Sequence, residues 1–198
     1  MAIVVSSFTH PLQGVLILVV VIAWVVAESL SGRPNRGATD RVLDAGSKGW
    51  LVLALTATWV GVSLVADFVP VAAMPGTPVI PAIVGAIVAL SGIAFRAWAI
   101  VTLGRFFTRD VMIREGHTVI SDGPYRLMRH PAYSGTMIAM IGLGLMFANW
   151  LALSIAVAGF LVSHVPRILH EERVLEANLG DPYLAFEKTH KRLIPLVW

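Results

Sequence analysis

The sequence predicts an all-α integral membrane protein of about five transmembrane helices. Three observations carry this. Of the 198 residues, 57% are hydrophobic and 14% charged, and the mean hydropathy is +0.77, far to the apolar side of a water-soluble domain. Apolar runs long enough to cross a bilayer recur along the chain. The cations are gathered rather than spread: every Lys and Arg except Arg96 lies in a first loop, a third loop, or the region from Arg167 onward.

Leu12 to Leu30 is almost wholly apolar and reads as the first span, with Glu28 near its end. Residues 31–48 form a polar loop carrying Gly32, Pro34 and Gly37, with Arg33, Arg36, Arg41 and Lys48 set against Asp40 and Asp44. Trp50 to Val71 is the second span, with Trp50 as an interfacial anchor. Pro70, Pro75, Gly76 and Pro78 make a tight uncharged turn. Val79 to Leu103 is the third span and holds Arg96. Tyr133 to Ala148 is a short fourth span whose Gly135, Gly142 and Gly144 allow close helix approach. Trp150 to His164 is the fifth, expected to continue as a helix into solvent through Glu176 and to stop at Gly180. Tyr183 to Thr189 is a short amphipathic segment. The whole reads as one domain over 1–198: three spans in 1–103, a long loop in 104–132, and a helical hairpin with a C-terminal segment in 133–198.

The sequence pI is about 9.7, yet the net charge is only +3. Cations held in a few loops suit a protein facing anionic lipid. A nucleic-acid partner is not expected, because no soluble basic domain exists to hold one, and no obligatory protein partner is inferred. The absence of cysteine excludes disulfides, thiolate metal sites and a cysteine nucleophile. His130, His164 and His170 lack zinc-site spacing, so no metal is expected. By the positive-inside rule the N-terminus lies outside and the C-terminus inside, which puts the polar loops on the cytoplasmic face.

The polar and aromatic residues of this apolar chain crowd into Gly116–Gly135. Gly123-Pro124 reads as a turn. Pro131 reads as the first residue of a helix, where its missing N–H costs nothing, with His130 as the cap and Tyr133 in the first turn. The free N–H groups of that turn favour an anionic or electron-rich ligand. A simpler reading is a basic loop anchoring a helix at lipid headgroups.

His164, Arg167 and Glu171 follow one another at i, i+3 and i+7, so one helical face carries all three at the depth where the fifth span leaves the hydrocarbon. Ionisable groups there face a protein interior or a wet cavity; the alternative is a snorkelling Arg167 paired with Glu171. Glu172 points a quarter-turn away and reads as a solvated carboxylate. Arg96 either snorkels to the nearby interface or lines a cavity roof near a substrate carboxylate.

The C-terminal half resembles the isoprenylcysteine carboxyl methyltransferase family, among the membrane methyltransferases that include phospholipid N-methyltransferases. The resemblance rests on His117-Thr118-Val119-Ile120, Gly123-Pro124-Tyr125-Arg126 and Arg129-His130-Pro131-Ala132-Tyr133-Ser134-Gly135. After the fifth span it continues with Arg167, Glu171-Glu172, Leu175, Gly180, Tyr183, Phe186 and Arg192-Leu193-Ile194-Pro195. It covers residues 102–195. It implies a helical membrane enzyme that uses S-adenosylmethionine, with no metal, in a cytoplasmic pocket built from the third loop and the C-terminal segment. By position it implies that His117, Thr118, Val119, Ile120, Tyr125, His130, Pro131, Ala132, Tyr133 and Glu171 form the cofactor shell. Asp110 stands near a further contact. Arg167 and Glu171 become the catalytic pair, with Arg167 and Arg96 on the side of the substrate carboxylate. The expected reaction is O-methylation of an isoprenylcysteine-like or other lipidic carboxylate. N-methylation of a lipid amine and an NADPH-dependent membrane reductase are the competing readings. The first two spans carry no diagnostic pattern, and no role beyond spanning is inferred for the N-terminal half.

Overall fold

A computed structural model describes residues 10–31, 41–44 and 46–194. The first-loop residues Arg33, Pro34, Arg36, Gly37 and Asp40, and Pro195 at the end of the C-terminal motif, lie outside these described residues. The elements are α1 (Pro11–Leu30), β1 (Arg41–Val42), α2 (Ser47–Phe68), α3 (Val79–Leu103), β2 (Met112–Ile113), α4 (Pro131–Met146), α5 (Trp150–Leu179) and α6 (Asp181–Thr189). Helices α1, α2, α3 and α5 are long and apolar enough to cross a membrane. Their outer faces expose Val15, Leu18, Leu53, Ile80, Ile87 and Val162, among others, as lipid-facing helices do.

The fourth expected span is shorter than the others. Helix α4 has 16 residues, a rise of about 24 Å against a hydrocarbon core of about 30 Å. Its far end still lies beside the α2–α3 turn. The Met74 N–H donates to Ala148 O at 2.7 Å, and Asn149 Nδ2 donates to Val69 O at 3.1 Å. Asn149 then caps α5, accepting from the Leu151 and Ala152 amides, and Ala148 at φ 50° makes the sharp reversal. Both uncharged turns therefore sit at one end of the bundle.

The α3–α4 contact is the tightest and sets the geometry of the site. A Cβ on Gly142 would lie 2.3 Å from Ala89 N, one on Gly92 2.4 Å from Ala139 N, and one on Gly135 2.6 Å from Arg96 N. Only bare backbone fits, so the helices approach through their glycines, as expected. The approach brings Arg96 against the first turn of α4. Around it, Ile17, Val20, Ala86, Ala89, Ile93, Ala139, Leu143 and Met146 form the main core. Helix α1 packs on α3 and α4, and α2 packs on α5.

Two features fall outside the sequence reading. The first loop and the long loop meet through an antiparallel pair, Arg41 opposite Ile113 and Val42 opposite Met112, a small exception to an otherwise helical fold. In addition, Pro166 interrupts α5. It has no N–H for the Val162 carbonyl one turn back, and the Trp50 indole donates to that carbonyl at 3.1 Å. Trp50 thereby ties α2 to α5.

Candidate active site

The charged end of the bundle encloses a cavity of about 630 Å³. Of the residues singled out from the sequence, His117, Thr118, Val119, Ile120, Tyr125, His130, Ala132, Tyr133, Arg96, Arg167 and Glu171 line it, together with His164 and Asp110. Pro131 is not among the lining residues. It is fully buried and starts α4, with His130 as the cap residue.

The helix face of His164, Arg167 and Glu171 points into this cavity, but the last two are not directly paired. Tyr133 stands between them: its hydroxyl accepts from Arg167 Nε at 3.1 Å and donates to Glu171 Oε2 at 2.8 Å. Arg167 is 4% exposed. Its Nη1 donates to Asp44 Oδ1 at 2.9 Å and Ser47 Oγ at 2.7 Å, and its Nη2 donates to Arg109 O at 2.5 Å. Among the described residues these contacts engage four of the five guanidinium N–H groups and leave one on Nη2. Arg167 is therefore a fixed cation, not a snorkelling one.

Arg96 also turns inward. Its Nε meets Glu28 Oε1 at 2.7 Å, and its Nη1 donates to Ala132 O at 3.2 Å and Thr136 Oγ1 at 3.1 Å. Its guanidinium lies about 6 Å from the Trp24 and Phe107 ring centroids, within cation–π range. Arg109 donates to the Glu28 backbone carbonyl.

Glu172 reverses the sequence reading. It is 2% exposed and collects three cations or donors: Arg129 Nη2 at 2.9 Å, His130 Nε2 at 3.1 Å and Arg192 Nε at 2.8 Å. The backbone adds to this knot, with Arg129 N donating to Lys191 O at 2.7 Å and His130 N to Arg192 O at 3.0 Å. Glu172 thus binds the start of α4 to the C-terminal segment. Its signal was present in Arg129 and Arg192, two cations in the same motifs with no anion assigned to them.

Electrostatics distinguish the loop residues. At Asp44 burial opposes ionisation, but the Lys48 amide, Ser47 hydroxyl, Val111 amide and Arg167 outweigh it and hold the carboxyl at about 2. Burial lowers the His117 imidazole, reinforced by Arg114 and opposed by Glu171. His117 is therefore neutral at neutral pH; its ring stacks on Phe106 at 4.7 Å. Burial, then the Glu171 charge, pushes the Tyr125 phenol up.

The cavity has unmet polar demand. His117 Nδ1, Arg129 Nε and Tyr183 Oη are buried without a partner among the described residues, and all three side chains line the cavity. Buried donors and acceptors in such a state call for a ligand or water. Below this polar end, Ile17, Val21, Leu51, Leu55, Trp59, Met140, Leu143 and Phe147 extend the lining between α1, α2 and α4. One continuous space therefore joins a polar chamber to an apolar arm at membrane depth.

Residues 84–177 match the sequence model of the isoprenylcysteine carboxyl methyltransferase family. Over this segment, a little under half of its length, the chain is similar to that family. Two relatives from Arabidopsis thaliana are named protein-S-isoprenylcysteine O-methyltransferases. The B protein is 33% identical over 54% of this chain and 55% of its own length. The A protein is 34% identical over 57% and 58%. The chain thus spans a little over half the length of these curated relatives. The solved structure of a eukaryotic intramembrane Ras methyltransferase of the family superposes with a TM-score of 0.66 at 19% identity, over 96% of this chain and 70% of that one. With the four apolar helices, that fold makes the chain an integral membrane protein. The family segment begins within α3 and ends within α5, so it contains the cavity's polar loop but not Glu28, Asp44, Ser47 or Lys48. These N-terminal residues escaped the sequence reading because nothing near them in sequence marks them; only the fold brings them to the site.

Proposed function

We propose that the protein is a membrane methyltransferase that methylates the carboxylate of an isoprenylcysteine-like or other lipidic acceptor, with S-adenosylmethionine as methyl donor. The observation that carries this reading is the joined cavity, in which a polar chamber rimmed by Arg167, Tyr133, Glu171 and His117 opens onto an apolar arm. The names of the Arabidopsis relatives support the acceptor class.

The chamber fits the donor on chemical grounds. His117 to Ile120, Tyr125, His130, Ala132, Tyr133 and Glu171 would hold it. Pro131 would contribute by starting α4, not by touching the ligand. The unpartnered His117 Nδ1 suits the polar atoms of a nucleoside, and the aromatic rings with Glu171 suit a flat base and a cationic centre. When bound, S-adenosylmethionine supplies an electrophilic methyl group.

The protein's own task is alignment and exclusion of water. The acceptor carboxylate has an ordinary pKa of about 3.5 and is ionised without a general base. Arg167 would orient it through the N–H left on Nη2, with Arg96 adding positive charge to the cavity roof. The lipid tail would stay in the apolar arm and reach the bilayer between α1 and α2. The clustering of cations at the site end supports a cytoplasmic active site, with the N-terminus outside and the C-terminus inside. Single cysteines introduced at Gly76 or Asn149, with the native chain cysteine-free, should label from outside. Cytoplasmic-only labelling would reverse that orientation.

Titration of the purified protein with S-adenosylhomocysteine and with NADPH tests the donor. Saturable binding of S-adenosylhomocysteine, weakened by Glu171→Gln, is expected. Preferential binding of NADPH would replace the methyltransferase reading with the reductase one.

A further inference from the structure

We propose that Asp44, in the segment between α1 and α2, is a positioning residue for the acceptor: together with Ser47 it holds the Arg167 guanidinium in the orientation that presents its remaining N–H to the acceptor carboxylate. The inference rests on the reading of Arg167 as the acceptor-binding cation.

Four observations support it. Both hydrogens of Arg167 Nη1 go to this segment, to Asp44 Oδ1 at 2.9 Å and Ser47 Oγ at 2.7 Å. Asp44 is itself locked, accepting from Ser47 Oγ at 2.8 Å, Lys48 N at 3.0 Å and Val111 N at 3.4 Å. An anchor held by three donors can fix the direction of the cation it pairs with; a mobile surface carboxylate could not. Asp44 also shields Arg167 from solvent, with 14% of its own side chain exposed against 5% for Arg167.

The segment is tied down by contacts that do not involve Arg167. Leu43 N donates to Val111 O at 2.8 Å, His170 Nε2 donates to Leu43 O at 2.6 Å, and Lys48 Nζ meets Asp110 Oδ1 at 2.8 Å. The β1–β2 pair adds a backbone link. Removing the Asp44 carboxylate therefore loosens Arg167 while the segment stays docked. This gives the N-terminal half a function beyond spanning, since it supplies the back wall that aims a cation belonging to the C-terminal half.

The test uses the full chain in bilayers, with Asp44→Asn, Asp44→Ala, Ser47→Ala, Arg167→Leu and the double variant Asp44→Asn/Arg167→Leu. Two quantities are read: methyl transfer to a farnesyl-cysteine analogue, and S-adenosylhomocysteine affinity by calorimetry. Loss of a charge-assisted bond should raise the acceptor KM roughly tenfold or more in Asp44→Ala, less in Asp44→Asn and less again in Ser47→Ala. Cofactor affinity should be unchanged. In the Arg167→Leu background Asp44→Asn should have no further effect, because a positioning residue acts only through the group it positions. An acceptor KM that stays constant or falls in the Asp44 variants overturns the proposal, the fall marking Asp44 as a competitor for Arg167. So does a parallel loss of cofactor affinity, or an additive double variant. Ser47→Ala keeps the question open to measurement if the Asp44 variants fold poorly. Should Arg167→Leu itself leave the acceptor KM unchanged, the underlying reading of Arg167 has failed, whatever Asp44 does.

Discussion

Replacing Tyr133 with Phe removes one oxygen and breaks the link between the two charged residues of the α5 face. That oxygen accepts from Arg167 Nε at 3.1 Å and donates to Glu171 Oε2 at 2.8 Å. Each bond has a charged partner and is worth about 1.5–3 kcal/mol net. The two losses should not simply add, because one hydroxyl serves both and cavity water can replace part of each. A total near the single-bond figure is expected for Glu171-dependent ligand binding, which is roughly a ten- to hundredfold loss of S-adenosylhomocysteine affinity. The decisive assay is a double-mutant cycle by calorimetry on wild type, Tyr133→Phe, Glu171→Gln and the double variant. Glu171→Gln should cost less in the Phe background than in the wild type, because its main protein partner is already gone. Additivity to within about 0.5 kcal/mol would refute the reasoning, since it would mean that the hydroxyl and the carboxylate act independently.

Gly142→Ala should lower thermal stability in detergent by roughly 1–3 kcal/mol, because its Cβ would meet Ala89 N at 2.3 Å. Gly49→Ala, with nothing within 4 Å, is the control, and equal melting temperatures for the two would count against backbone-level α3–α4 packing. Glu172→Leu leaves Arg129, His130 and Arg192 without their shared anion and should cost about 3–5 kcal/mol, read by the same melts; an unchanged midpoint would reduce the knot to a minor contact. Acid titration of stability should show an Asp44 contribution present above about pH 4 and lost as the pH falls toward 2, because its folded pKa is depressed from 3.8 to about 2. Asp44→Asn should flatten that limb, and an identical acid profile in the variant would contradict it.

Local signals in the sequence located much of this. Val79–Leu103 carries one long apolar run, with Arg96 as its single charge, and is α3 to the residue. Pro131 at the first helical position and Gly180 at the end of α5, with φ 60°, mark boundaries through their own backbone chemistry. Helical periodicity was enough to set His164, Arg167 and Glu171 on the cavity wall. Information carried only by distant contacts was not legible. Glu172 looked solvated because its partners Arg129, His130 and Arg192 lie on other elements. Arg96 looked able to snorkel because Glu28, its partner at 2.7 Å, sits on a helix with no other charge. Asp44 reaches Arg167 across 123 positions. The shortness of α4 depends on where the Ala148–Asn149 reversal docks, and that is settled by the α2–α3 turn.

The most direct test of the methyltransferase reading is methyl transfer by the purified protein in lipid bilayers. Labelled S-adenosylmethionine would be offered with a farnesyl-cysteine analogue bearing a free carboxylate, and separately with a lipid amine. Base-labile label appearing on the farnesyl-cysteine analogue, and lost in Arg167→Leu, is the expected result, because a methyl ester hydrolyses in base and an N-methyl group does not. Label on the lipid amine alone, or no transfer to either acceptor by protein that binds S-adenosylhomocysteine, would contradict carboxyl methylation as the activity of this site.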